Sequence, residues 1–299
     1  MSVTAKDTAG LLDPAFLRKL DLLSIAVKRV RPGVLKGERK STKRGQSIDF
    51  ADYRDYVQGD DLRHVDWNLY GRLDELYLKL FEEREDLTLH LMIDASKSMG
   101  FGTPHKLAFA RRLAAALGYI ALSGHERVSV EAFVGDEARR IPAVRGKNSV
   151  PRLFEFLGRI DADGATHLES SSRAYLSRNR SKGVAVIFSD FFDDAGFEGV
   201  LRRLQQSRSD VYAVHVLAPE EIDPRLTGDL KLVDSETGNF AEISASRALF
   251  KRYKKNREGF VGSVRRYCAT RGIGYIFASS DAPVEQITLQ MFRRIGMVQ

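Results

Sequence analysis

Two hydrophobic rhythms alternate along most of this chain. Short, mostly apolar runs read as strands: Leu87–Ile93, Arg127–Val134, Gly183–Asp190, Val211–Ala218 and Gly272–Ser279. Between them, apolar residues recur at helical spacing. Leu107, Ala110, Leu113, Ala114, Leu117 and Ile120 form one such set. Further helices are expected over Val150–Ile160, Leu168–Leu176, Phe197–Gln206, Arg247–Arg271 and Val284–Arg294. Ala138–Val144 reads as one more strand, and Leu230–Val233 with Asn239–Ile243 as a hairpin. Apolar strands alternating with amphipathic helices predict an α/β fold with a mostly parallel sheet flanked by helices.

The first third has a different pattern. Asp13-Pro14 is a helix-start signal: an N-cap followed by proline at the first helical position. Phe16, Leu17, Leu20, Leu23, Val27 and Val30 then predict a helix that runs to Arg31-Pro32-Gly33. This gives an N-terminal helical and extended extension ahead of the α/β part. The expected organisation is 1–47 as helix and basic linker, 48–86 as a segment packing on the main domain, and 87–299 as that domain.

Charge sharpens this division. The 299 residues carry 47 Lys and Arg against 40 Asp and Glu, a net +7. Arg18–Arg44 holds ten basic and two acidic residues, whereas Ile48–Asp86 holds five basic and twelve acidic. The modest total therefore hides a basic block followed by an acidic one. In the second, Arg54, Arg63 and Arg72 lie among Asp49, Asp52, Asp55, Asp60, Asp61 and Asp66. They are expected to form a local network that pins the segment to the main domain. Gly59-Asp60-Asp61 reads as a turn, and Trp67 as a packed anchor. The late helix Arg247–Arg271 has nine basic residues and one acid, Glu258. It reads first as a solvated face, then as a surface for an acidic partner, and last as a nucleic-acid surface.

Composition excludes several classes. With 43% hydrophobic residues the chain is not disordered or low-complexity, and a single cysteine, Cys268, excludes an intrachain disulfide framework. Cys268 is expected to be an inert, packed thiol. No run is long and apolar enough to cross a membrane, and charges interrupt any signal-peptide core, so a cytoplasmic location is expected. Phosphate-loop, G-x-S-x-G and H-E-x-x-H motifs are all missing. No enzyme is expected.

Candidate chemistry collects at strand ends, where parallel sheets bind ligands. Asp94, Ser96 and Ser98 follow the first strand, Asp190 follows the strand from Gly183, and Thr166 stands in a loop between them. These oxygen donors suit a hard cation such as Mg²⁺.

In that order, Asp94-x-Ser96-x-Ser98, Thr166 and Asp190 resemble the metal-ion-dependent adhesion site of the von Willebrand factor A family. The resemblance implies a Rossmann-like fold and a site for Mg²⁺ or another divalent cation. It also implies an open coordination position for an acidic side chain of a partner protein. His167 is not expected to be a ligand.

Upstream, Arg44–Phe50, Tyr53-Arg54-Asp55-Tyr56, Gly59-Asp60-Asp61 and Arg63-His64-Val65-Asp66-Trp67 lead into Leu76–Phe81 and Glu82-Glu83. This block resembles the bacterial domain-of-unknown-function 58 family. That resemblance implies action beside a MoxR-type AAA+ ATPase, as an adaptor or partner in protein assembly or activation. Two rivals remain: a Mg²⁺-dependent phosphohydrolase with Asp94 as nucleophile, and a nucleic-acid binder using the late basic helix.

Overall fold

The computed structural model describes residues 10–25, 48–83, 87–134, 137–165, 167–179, 183–207, 210–235 and 238–299. The chain divides into two compact units, Met1–Arg31 with Leu87–Gln299, and Pro32–Asp86.

The first element is α1 (Pro14–Leu20), capped by the Asp13 carboxylate, which accepts from Ala15 N at 2.8 Å. It buries Phe16, Leu17 and Leu20. This helix is much shorter than the apolar spacing predicts. The helix is capped at Asp21, and although the next stripe residue, Leu23, is still buried, it is no longer helical. Beyond it, Ser24 exchanges backbone hydrogen bonds of 2.9 and 3.0 Å with Gln299, and Ile25 pairs with Val298. An extended pairing with the C-terminal residues thus replaces further helical turns. Val27 and Val30 lie outside the described residues.

The smaller unit holds an antiparallel ribbon, β1 (Ile48–Asp55) with β2 (Tyr77–Glu83), and between them α2 (Trp67–Leu73). Asp66 caps α2 through Asn68 N and Leu69 N and also accepts from Tyr53 Oη at 2.9 Å. Val65 and Leu78 are buried. Arg54 pairs with Asp60 at 2.9 Å and Arg63 with Asp61 at 2.6 Å. Gly59 has φ +109° and turns the chain, while Asp60 accepts from Val57 N, so the predicted turn is present. Trp67 is not the expected packed anchor. It is 57% exposed, with its ring edge-on to Tyr70. As the first residue of a short helix with no buried positions, it has no core to enter.

The larger unit runs β3 (Thr88–Asp94), α3 (Lys106–Ser123), β4 (Arg127–Val134), β5 (Glu137–Arg145), α4 (Val150–Gly158), α5 (Leu168–Arg178), β6 (Gly183–Ser189) and α6 (Glu198–Gln206). It continues through β7 (Asp210–Leu217), α7 (Pro219–Ile222), the hairpin β8 (Asp229–Val233) and β9 (Phe240–Ser244), α8 (Arg247–Arg271) and β10 (Gly274–Ser279). It closes with α9 (Val284–Gln286), a π turn (Ile287–Met291) and α10 (Phe292–Arg294).

Six strands form one sheet in the order β10-β7-β6-β3-β4-β5, parallel except for β5. The expected mostly parallel α/β architecture is therefore present. Strand alternation divides the core. Leu89, Leu91 and Ile93 of β3 join the cluster with Leu113 and Leu117 of α3, which also includes α1. Met92, Ile187 and Ala213 join the opposite cluster with Leu168, Leu201 and Val264. At the head of β6, a Cβ on Gly183 would lie 1.9 Å from the Thr88 carbonyl oxygen, so only glycine lets β3 and β6 start side by side. The antiparallel edge strand β5 carries Pro142 and the exposed Arg139, Arg140 and Arg145. No helix among the described residues is long and apolar enough to cross a membrane.

Candidate functional site

The two central strands, β3 and β6, end in Asp94 and Ser189, so the loops that follow them open side by side at the carboxyl edge of the sheet. Asp94 is 1% exposed and locked at both oxygens. Its Oδ1 accepts from Ser96 N at 3.0 Å, and its Oδ2 accepts from Ser189 Oγ at 2.6 Å. Ser189 Oγ in turn accepts from Phe191 N at 2.8 Å. Burial, with the nearby Asp190 charge, pushes the Asp94 carboxyl up to about 7 against the opposing hydrogen bonds.

Ser96 Oγ and Ser98 Oγ lie 3.1 Å apart. Ser98 Oγ donates to Asp190 Oδ2 at 2.8 Å, and Asp190 Oδ1 accepts from Phe192 N at 3.1 Å. Asp190 is fully buried, whereas Ser98 is half-buried and lies nearer the opening. A third loop joins through the backbone: Lys97 N donates to Gly164 O at 3.0 Å and Asp163 N to Ala95 O at 2.9 Å. Beyond it, Leu168 N donates to Asp193 Oδ2 at 2.8 Å, which ties the start of α5 to the loop after β6. Asp94, Ser96, Ser98 and Asp190 are thus brought together. Thr166 lies outside the described residues, between Ala165 and His167.

The donor set fits a hard divalent cation on two observations. Cis oxygens on an octahedron with bonds of about 2.0–2.1 Å are about 2.9 Å apart, close to the Ser96–Ser98 hydroxyl spacing. The Ser98 hydroxyl also directs its proton to Asp190, which leaves lone pairs for an ion. Among the described residues no cluster of three or more His, Cys, Asp or Glu side chains is placed to hold a metal. The set here is of another kind, two carboxylates and two hydroxyls.

Three further participants were not singled out from the sequence. Ser189 anchors Asp94 from below. Lys106, the first residue of α3, is fully buried, and its Nζ lies 2.7 Å from Asp190 Oδ2 and 2.6 Å from Glu221 Oε1 of α7. Glu221 Oε2 accepts from Ala218 N at 2.7 Å. Burial alone would lower the Lys106 pKa, but the charges of Asp190 and Glu221 outweigh it and hold the ammonium above its ordinary value. One signal for Lys106 was available: a cation in the first turn of a helix opposes the helix dipole and calls for a compensating anion. Nothing local to Ser189 or Glu221 marked them. Behind the loop, His215 is buried with Nδ1 3.0 Å from Tyr275 Oη, and burial lowers its pKa to about 4, so it is neutral.

Of the other sequence-singled residues, Cys268 is buried and its thiol is pushed up to about 12 by burial, in keeping with an inert packed thiol. On α8, Lys251, Arg252, Lys254 and Lys255 are exposed, while Arg257 donates to the Ile222 carbonyl and Tyr253 Oη to the Glu221 carbonyl at 2.8 Å.

Comparison with known proteins gives a family match and distant structural likenesses. The family model described as "Protein of unknown function DUF58" matches residues 52–259. An uncharacterized protein of Mycobacterium tuberculosis is 29% identical over 242 residues, covering 79% of this chain and 76% of its own. One from Mycobacterium avium is 26% identical over 149 residues, covering 48% of this chain and 85% of its own. Among solved structures, the conserved hypothetical protein BatB of Bacteroides thetaiotaomicron superimposes with TM-score 0.42 at 12% identity, covering 70% of this chain and 98% of that one. A von Willebrand factor type A protein from Catenulispora acidiphila gives TM-score 0.32 at 15% identity, covering 46% and 35%.

Proposed function

The chain belongs to the DUF58 family, and on that premise we propose that it is a metal-ion-dependent protein-binding module acting with a MoxR-type AAA+ ATPase in protein assembly or activation. The observation that carries this reading is the pair of hydroxyls on Ser96 and Ser98, 3.1 Å apart and backed by Asp94 and Asp190. Ser96 and Ser98 would hold Mg²⁺ directly, Asp94 and Asp190 directly or through water, with Thr166 as the fifth member of the set. The bound ion would supply an open coordination position for a carboxylate from a partner protein. Neutral hydroxyl ligands leave such an ion electron-poor and receptive to that carboxylate.

The phosphohydrolase reading has less support. A nucleophilic aspartate must itself reach the phosphorus, whereas Asp94 is buried beneath the hydroxyl pair, with both oxygens already accepting hydrogen bonds inside the protein. The exposed lysines of α8 suit an acidic protein surface as well as nucleic acid, and no reader motif accompanies them.

The test is retention of a MoxR-type ATPase by immobilised full-length chain, in Mg²⁺ and in chelator. Retention in Mg²⁺ is expected to vanish in chelator and with Asp94→Ala. Equal retention in all three conditions overturns the proposal.

A further inference from the structure

A fully buried lysine beside a candidate cation site calls for an explanation, because its charge repels the ion the site is built to attract. Lys106 also has no local reason to be cationic. It is the first residue of the 18-residue α3, where the helix dipole disfavours positive charge. Its position is nevertheless closely specified. Gly102 has φ +94°, and a Cβ there would lie 2.4 Å from the Ala218 Cβ. Thr103 N donates to Glu220 Oε1 at 3.2 Å, and Ser280 Oγ to the Pro104 carbonyl at 2.7 Å. These contacts hold the loop before α3 against the end of β7 and deliver the Lys106 ammonium between Asp190 and Glu221.

We propose that Lys106 is a resident counter-cation of the metal site, which holds Asp190 in place without metal and weakens the site's grip on a divalent ion. This rests on the metal-binding reading above. The charge inventory gives the reason. Asp94, Asp190 and Glu221, when ionised, set three carboxylates against one ammonium. A divalent cation brings that set to neutrality, and an incoming partner carboxylate meets no excess of negative charge. Without Lys106 the loaded site keeps a net negative charge. It binds the metal more tightly and the partner's acid less readily. Lys106 thus gives up metal affinity in favour of the external ligand.

The hydrogen bonds agree with this division of roles. Asp190 Oδ2 accepts from both Ser98 Oγ and Lys106 Nζ, so the ammonium competes directly for the oxygen nearest the hydroxyl pair. Glu221 draws on the same ammonium and tempers its hold on Asp190.

Titration of the full-length chain with MgCl₂ by calorimetry, with the thermal midpoint followed in parallel, tests the proposal through Lys106→Met and Glu221→Gln. Lys106→Met is expected to bind Mg²⁺ at least about tenfold more tightly, since it removes a charge a few ångströms from the ion. Glu221→Gln removes a carboxylate and leaves the ammonium to Asp190 alone, so it is expected to bind Mg²⁺ more weakly than the wild type. A merely structural role would weaken binding in both variants. Unchanged affinity, or weakening in both, overturns the role of Lys106 while leaving the metal site standing. Absence of any Mg²⁺ response in the wild type and both variants overturns the metal site and this inference together. Should Lys106→Met fail to fold even in Mg²⁺, Lys106→Gln, which keeps a hydrogen-bond donor for Asp190 and Glu221 without the charge, takes its place: tighter Mg²⁺ binding supports the proposal, and equal or weaker binding overturns it.

Discussion

Two ion pairs, one in each unit of this chain, handle charge in opposite ways. In the smaller unit, Arg63 and Asp61 meet at 2.6 Å on the surface, with 83% and 41% of their side chains exposed. In the larger unit, Lys106 and Asp190 meet at 2.7 Å with no exposure at all. The distances are nearly equal, yet the physics differs. Water solvates the members of the first pair whether or not they meet, so the contact adds little. The second pair has lost its hydration, and each member depends on the other and on Ser98 and Glu221. Pairing geometry alone therefore says little about importance. Burial separates a solvated ornament of the surface from a group the site cannot lose.

Lys106→Ala breaks the contrast most forcefully. Leaving Asp190 and Glu221 buried without their cation is expected to cost about 3–5 kcal/mol, read from denaturant unfolding in chelator. Ser189→Ala comes next, at about 1–3 kcal/mol by the same measurement, because Asp94 Oδ2 and Phe191 N both lose a buried partner. Trp67→Ala is expected to leave the thermal midpoint within about 1 °C of wild type, since the ring is 57% exposed and lies edge-on to Tyr70. Arg63→Ala is expected to change nothing measurable, at low salt or high. A midpoint loss for Arg63→Ala comparable to that for Lys106→Ala would erase the distinction between the two regions. Cys268 sharpens it from the other side. Its thiol, raised to about 12 by burial, stays protonated at pH 8 and is expected to resist thiol reagents until the protein unfolds.

Some of this was legible in the residues, for local reasons. The helix Arg247–Arg271 is found at its expected bounds because its punctuation is explicit: Ser246 caps its start, accepting from Leu249 N, and Gly272 at φ +68° ends it. The central strands β3 and β6 were equally clear, since burial on both faces leaves apolar runs, here with a carboxylate or hydroxyl at the exit. Asp94, Ser96, Ser98 and Asp190 announced themselves by position after such strands. The failures are non-local. The first helix stops at Leu20 because Ser24 and Ile25 pair with residues at the far end of the chain, which no local periodicity encodes. Trp67 is exposed because hydrophobicity argues for a core but does not supply one. Lys106 and Glu221 are distant in sequence from Asp190, and only the folded sheet brings the three together.

The edge strand β5 has a consequence for the molecule in company. An open parallel sheet invites another chain to add a strand along its rim, and here that rim is defended. Pro142 offers no N–H to a newcomer, and the exposed guanidinium groups of Arg139, Arg140 and Arg145 would crowd those of a second copy approaching in the same way. Copies of this protein can therefore crowd together without knitting into fibrils along this margin.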